Sequence, residues 1–295
     1  MNTLSAYHKL IKVITVLFLN LGLVLGLVQA QDQSNSLFWE ISGNGLDKPS
    51  YLYGTIHMIC KEDLNMSHQV KEAFAQTTLT VLEVDMDDPN MMAEAQKHAY
   101  NDGMTNISDL LDESEKDLLN VYFKEHYGAD LSQLGVMKPF NLIALTLPKL
   151  LSCPSASYEQ SFVQLSQEAE KELVGLESLD FQMNLFNQVP MEKQLSWLVE
   201  SVEKSDDNKL ELEQMIAAYK NNDLDQLFEV MVTSPEFAEY TDLLLYDRNK
   251  TWIPLIEEII KEQQAFIAVG AGHLASEQGV VALLRAEGYK VKPIL

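Results

Sequence analysis

Two histidines in this sequence share an unusual setting. His57 closes "YLYGTIH" three residues after Gly54, and His273 closes "AFIAVGAGH" three residues after Gly270, with Gly272 just before it. Each ends an apolar, strand-like run. A third candidate, Glu83, lies in a similar run, "TVLEVD". Two imidazoles and a carboxylate suit a divalent cation of borderline character, such as zinc, manganese, cobalt or nickel. Three protein ligands would leave open the position that a hydrolytic metal keeps for water. Gly54, Gly270 and Gly272 are expected to supply positive φ and to let the backbone come close to a metal, a water or a substrate. Asp85, two residues beyond Glu83, shares its face of a strand and is a candidate fourth ligand or partner for a histidine. Taken singly, each residue also has a plainer reading. A strand-end histidine is commonly just hydrogen-bonded, and Gly-Ala-Gly-His can be a tight turn.

The elements that must position these residues are legible at both ends of the chain. "SLFWEIS" and "SYLYGTIH" read as strands joined by turn residues around Gly43-Asn44-Gly45. "MSHQVKEAFAQ" reads as a helix leading to the buried strand "TTLTVLEVD". At the far end, "QAFIAVG" is a strand, Ser276 is placed to cap a helix carrying Val280, Val281, Leu283 and Leu284, Gly288 stops that helix, and "YKVKPIL" is a closing strand. Between them, from about 89 to 261, helical periodicity dominates. Ser108 is a candidate N-cap and Gly128 a stop for one helix, and Asn221-Asn222 break a helical hairpin. "TWIPLIEEIIKEQ" places Trp252, Leu255, Ile256, Ile259 and Ile260 on one face, with Pro254 in its first turn. "KELVGLES" reads as a further short strand. The fold class is therefore α/β, a sheet built from N- and C-terminal βαβ-like segments with a large helical insertion. In open α/β sheets ligands bind beyond the carboxyl ends of the strands. Both Gly-x-x-His turns are thus expected at one sheet edge, facing each other across a cleft, with Glu83 on the intervening strand.

Composition limits the possible functions. The chain has 295 residues, 46 % of them hydrophobic, and a formal net charge of −23. Such an acidic surface repels phosphate backbones and anionic headgroups, so nucleic acid is a poor partner. Residues 1–30 read as a secretory signal peptide: Lys9 and Lys12 precede an apolar run, and Val28-Gln29-Ala30 offers a small-residue exit. The expected mature chain is one domain, 31–295, periplasmic or secreted, without a stable membrane anchor. The only cysteines, Cys60 and Cys153, would enter an oxidising compartment, where an even count favours a disulfide. His68, His98 and His126 lie in polar helical contexts and read as solvated. The chain contains no HExxH, no GxSxG, no P-loop and no GxGxxG with an acidic ribose ligand, which removes the commonest zinc-protease, hydrolase-elbow and nucleotide-binding readings.

"YLYGTIHM", "LEVD", "GLESLDFQ", "LLLYDRNKTWIPLI" and "VGAGHLASEQGVVALLRAEGYKV", in that order, resemble the TraB/PrgY/GumN family, which includes the TIKI metalloproteases. The resemblance spans essentially the whole mature chain. It implies metal-dependent proteolysis through the two Gly-x-x-His motifs and a glutamate, hence His57, His273 and Glu83, with manganese, cobalt or zinc as the ion and a peptide or protein as substrate. The family's Arg-Asn pair is matched by Arg248-Asn249, and its Gly-Leu-Glu segment by Glu177. Arg248 could hold a substrate carboxylate or stabilise an oxyanion; its plainer reading is a surface salt bridge. Glu177 could be a general base or a further ligand, or a buried carboxylate paired with Arg248. Other family branches imply the alternative, a non-catalytic peptide-binding or polysaccharide-associated accessory protein.

Overall fold

The computed structural model describes residues 35–233 and 238–294. The strands are β1 (Phe38–Ser42), β2 (Ser50–Thr55), β3 (Ile59–Cys60), β4 (Leu79–Val84), β5 (Ser155–Ala156), β6 (Glu172–Glu177), β7 (Ala265–Gly270) and β8 (Lys290–Pro293). The helices named below are α1 (His68–Gln76), α2 (Met91–Lys97), α3 (Glu113–Tyr127), α4 (Leu131–Leu134), α5 (Pro139–Leu150), α6 (Tyr158–Glu168), α7 (Leu179–Phe186), α8 (Met191–Glu203), α9 (Ser205–Lys220), α10 (Leu224–Thr233), α11 (Asp247–Glu262) and α12 (Val280–Ala286).

Six strands form one sheet in the order β6-β4-β7-β2-β1-β8. The pairs β6·β4, β4·β7 and β7·β2 are parallel, whereas β1 runs antiparallel to both β2 and β8. Every residue of β2, β4 and β7 is buried, which is why these strands read as continuous apolar runs rather than alternating ones. Four parallel neighbours put the ends of β2, β4, β6 and β7 at the same edge, so the segments bearing His57, Glu83, Glu177 and His273 converge. One detail differs from expectation. The strand between is β7, which leads to His273, and Glu83 is on β4 beyond it.

Phe266 of β7 packs against Phe74 of α1 and Phe162 of α6 at centroid distances of 5.4 and 5.0 Å. The insertion is not wholly helical, because β6 joins the main sheet and β5 pairs with β3. Its helices also have a core of their own, where Leu119 and Phe123 of α3 meet Leu131 of α4, Leu142 of α5 and Leu195 and Leu198 of α8. Among the described residues no helix is long and apolar enough to cross a membrane. The signal-peptide segment, 1–30, lies outside the described residues.

Several local expectations are corrected. The cap of α3 is Asp112, not Ser108: Asp112 accepts from the Glu115 N–H while the Glu115 carboxylate accepts from the Asp112 N–H. That reciprocal pair satisfies two otherwise orphaned donors, and Ser108 is left in a short 3₁₀ turn. Gly128 does stop α3, at φ 70°. Pro254 lies well inside α11, because that helix starts at Asp247, directly after a π-helical turn over Asp242–Tyr246. The carbonyl its missing N–H leaves unpaired belongs to Lys250, and both residues are exposed to water. Leu255 faces solvent, 41 % exposed, rather than joining Trp252 and Ile256 in the core. Ser276 adopts φ 70° and does not cap α12; Gly279 does, where a Cβ would meet the Ala275 carbonyl at 2.1 Å. His98 is not solvated but buried, with Nε2 2.9 Å from Asp180 on α7.

Candidate functional site

Parallel pairing sets the frame of the site. Thr55 stands opposite Gly270 across β2 and β7, and Val84 opposite Glu177 across β4 and β6. Glu83 therefore sits one residue before the end of β4, and His57 and His273 follow their strand ends closely. At the centre is Arg248, from the first turn of α11, only 8 % exposed. Its Nη2 donates to Glu83 Oε2 at 2.5 Å and to Glu177 Oε1 at 2.7 Å. Nε donates to both Glu177 oxygens at 3.1 and 3.2 Å, and Nη1 donates to the Leu244 carbonyl at 2.9 Å and to His273 Nε2 at 3.0 Å. A guanidinium has five N–H groups, and here all are engaged. As it stands Arg248 clamps two carboxylates and a histidine, with no donor left for a substrate.

Those contacts decide the tautomer of His273. Arginine only donates, so Nε2 must accept and Nδ1 carries the hydrogen. That hydrogen goes to Asn249 Oδ1 at 2.7 Å, while Asn249 Nδ2 donates to the Gln278 carbonyl at 2.9 Å. The Trp252 ring lies 4.4 Å from the imidazole. Burial is the main reason the His273 pKa falls to about 3, and the Arg248 charge pushes the same way. The ring is neutral, with one lone pair directed into the cluster.

Glu83 is held differently on its two oxygens. Oε2 accepts from Arg248 and from Gln182 at 3.2 Å, and Oε1 accepts the Gly270 N–H at 2.8 Å. Burial alone would raise its pKa, but positive charge from His273, Arg248 and His57 and the Gly270 N–H outweigh burial and bring it to about 2. Because His273 is neutral above about pH 3, the Arg248 guanidinium is the dominant partner at neutral pH. Glu177 is a clamped carboxylate, taking Arg248, Trp252 Nε1 at 3.0 Å and Gln182 at 3.1 Å.

His57 occupies the open side, its side chain 69 % exposed. Nδ1 lies 2.9 Å from Glu159 Oε1, which also accepts from Thr55 Oγ1 at 2.5 Å, and Glu159 Oε2 accepts from Ser157 Oγ at 2.5 Å. Desolvation by the surrounding chain would lower the His57 pKa, yet the hydrogen bond and charge of Glu159, helped by Glu83, raise it to about 9. Water reaches this ring and screens part of that pull. Cys60 and Cys153 form a disulfide just beyond, with Cα atoms 5.6 Å apart. Closing a loop of this separation is worth about 4 kcal/mol in the chain-entropy account.

The glycines serve by their size, not their φ, since Gly54, Gly270 and Gly272 are absent from the positive-φ residues. A Cβ at Gly54 would meet Leu274 Cδ1 at 2.8 Å, and one at Gly272 would meet Met231 Cε at 2.6 Å. A Cβ at Gly270 would point at the site itself, 3.2 Å from Glu83 Oε1 and 3.4 Å from His57 Nε2. Asp85 is not drawn in; it lies past the end of β4 and accepts from the Asp87 N–H at 3.2 Å. Among the described residues, no three His, Cys, Asp or Glu side chains are gathered tightly enough to hold a metal ion as they stand. Arg248 against His273 Nε2 is one visible reason.

Sequence reasoning passed over Glu159, Gln182 and the orienting role of Asn249. Glu159 is an acidic residue in the first turn of a helix capped by Ser157, a pattern ordinarily explained by the helix dipole alone. Nothing local marked it as a partner of His57.

A mainly parallel sheet with buried, mutually bonded polar side chains beyond its strand ends defines an α/β protein of the kind that keeps its site at the carboxyl edge. The pattern of the TraB/PrgY/gumN family matches residues 37–293, and the chain belongs to that family. The curated "Metalloprotease TIKI1" of Danio rerio is 24 % identical over 327 aligned residues, which cover 89 % of this chain and 64 % of that protein. The chain thus spans less than two thirds of that relative's length. No solved structure matches.

Proposed function

We propose that this chain is a divalent-metal-dependent hydrolase of peptide or other amide bonds, periplasmic or secreted, acting on a peptide or protein. The observation that carries the reading is the hollow over Gly270. A Cβ there would crowd Glu83 Oε1 at 3.2 Å and touch His57 Nε2 at 3.4 Å, so glycine is what leaves the space between these donors free. His273 Nε2 lies 3.8 Å from the same Glu83 oxygen, a separation compatible with two donors each bonding one ion at about 2.1 Å. In type these residues suit manganese, cobalt or zinc, and their donors would have to draw closer to share one ion. His57 and His273 would hold the ion through Nε2 and Glu83 through Oε1. Such an ion, when bound, polarises a scissile carbonyl and makes water a stronger nucleophile.

The chain's own residues supply the remainder. Arg248 and Glu177 fix the Glu83 carboxylate, so that Oε1 rather than Oε2 faces the hollow. Asn249 and Trp252 fix the neutral His273 ring. His57, on the exposed side, marks the side from which a substrate enters. Since His273 Nε2 has a single lone pair, Arg248 Nη1 must release it when an ion is taken up. The disulfide supports the export part of the reading, because such bonds persist in oxidising compartments.

One observation favours the alternative, a non-catalytic peptide-binding or accessory protein. Arg248 already compensates Glu83 and engages His273, which makes a coherent site without any ion. A peptide-cleavage assay with manganese, cobalt and zinc, with and without chelator, separates the two. We expect cleavage that is lost on chelation and in both His57→Ala and His273→Ala. No cleavage by the wild type with any of these ions would favour the binding protein.

A further inference from the structure

We propose that Glu159 is the positioning residue of His57, and that the Cys60–Cys153 bond holds the two together. The proposal deepens the metal-site reading, since it concerns how His57 presents Nε2 to the hollow. The exposed imidazole has little packing to fix it, unlike His273 with its tryptophan. What it has is one carboxylate. Glu159 is 12 % exposed, and its two oxygens take the Thr55 and Ser157 hydroxyls, each at 2.5 Å. The same Oε1 that accepts from Thr55 lies 2.9 Å from His57 Nδ1, so Nδ1 donates to it and Nε2 is left to face the hollow. Carboxylate partners of this kind orient histidine ligands and raise their basicity.

Every donor to Glu159 comes from two short segments, 55–57 and 157–159, far apart in the chain. Both segments run directly into the β3–β5 ribbon, where Ile59 pairs with Ala156 and Cys60 with Ser155, continued by the Lys61 N–H on the Pro154 carbonyl at 2.8 Å. A ribbon of two residues a side has no independent stability. The disulfide closes it covalently, three residues beyond His57 and six before Glu159. The bond therefore acts as a clasp on the His57–Glu159 pair. Asn65 and Tyr158, which exchange hydrogen bonds at 3.1 and 3.2 Å, reinforce the same junction further out.

The test is nitrogen-15 histidine NMR on the metal-free mature chain, followed by cobalt titration. We expect a slowly exchanging, downfield His57 Nδ1–H in the wild type. It should be lost in Glu159→Ala, shifted in Glu159→Gln, and lost in Cys60→Ser/Cys153→Ser with Glu159 intact. If the double serine variant does not fold, mild reduction of native wild type reports on the same signal. A merely structural Glu159 would alter thermal unfolding without moving that resonance. Cobalt affinity should fall about 10- to 100-fold in Glu159→Gln, and fall no further when the same change is made in a His57→Ala background. A resonance unchanged in Glu159→Ala overturns the pairing; one that survives loss of the disulfide overturns the clasp. If the wild type binds no cobalt, the metal-site reading fails, and the NMR result alone still decides for or against the pairing.

Discussion

His57 and His273 follow the ends of neighbouring strands in the same Gly-x-x-His pattern, yet their surroundings are opposite. His273 is 5 % exposed, neutral, and bonded on both nitrogens, to Asn249 and Arg248. His57 is 69 % exposed and bonded on one, to Glu159. Burial drives the first pKa down to about 3, and a carboxylate draws the second up to about 9. The difference shows that the motif fixes only where the backbone delivers a ring. Its charge state comes from α11 in one case and from the first turn of α6 in the other. A site built this way has a rigid wall and an adjustable one.

The rigid wall depends most on Arg248. Replacing it with methionine strands Glu83 and Glu177 without their cation, and breaking a buried pair from one side costs about 3–5 kcal/mol. Urea unfolding of Arg248→Met is expected to show a loss of that size; a loss under 1 kcal/mol would mean that the clamp is not what holds this wall. His273→Ala comes next. It orphans a donor of Arg248 and the acceptor of Asn249, at about 1–3 kcal/mol for each group left dry. His57→Ala should cost less than His273→Ala, because the ring itself is exposed and buried Glu159 keeps the Thr55 and Ser157 hydroxyls. Equal losses in the two alanine variants would erase the contrast between the walls.

The smaller effect is in pH. His273 titrates near 6.5 when unfolded and about 3 when folded, so its burial removes stability as pH falls from 6.5 toward 3. Glu83 and Glu159, at about 2 against 4.5 unfolded, remove more as pH falls from 4.5 toward 2. His57 acts the other way: its contribution is complete below 6.5 and is lost as pH rises through about 9. Unfolding midpoints should therefore decline on the acid side, and between pH 6.5 and 4.5 the decline should shrink in His273→Asn. An unchanged profile in that variant would assign the acid lability elsewhere.

Much of this was legible in the sequence because it depends on period and order. Continuous apolar runs gave β2, β4 and β7, and parallel strands oblige His57, Glu83 and His273 to share an edge. The Cys60–Cys153 pairing followed from the even cysteine count and an expected oxidising compartment. What was hidden depends on contacts between distant segments. Glu159 drew no reading at all, and His98 looked like a solvated histidine; the Arg248–Glu177 pair was one of the alternatives, but its burial and its further hold on Glu83 and His273 were not legible. Of the two uses read for the three glycines, positive φ and close approach, only the second is realised. Ser108 failed as a cap because Asp112 and Glu115 satisfy that helix start, and Ser276 because the last helix begins only after Gly279.

The central claim is that both Gly-x-x-His turns serve one ion. Cobalt titration of the purified protein, followed by calorimetry and by the visible absorbance of the bound ion, tests it most directly. The account predicts one cobalt per wild-type chain, with affinity reduced at least about tenfold in His57→Ala and in His273→Ala alike, given that each removes one of three ligands. Wild-type affinity retained in either variant would contradict it.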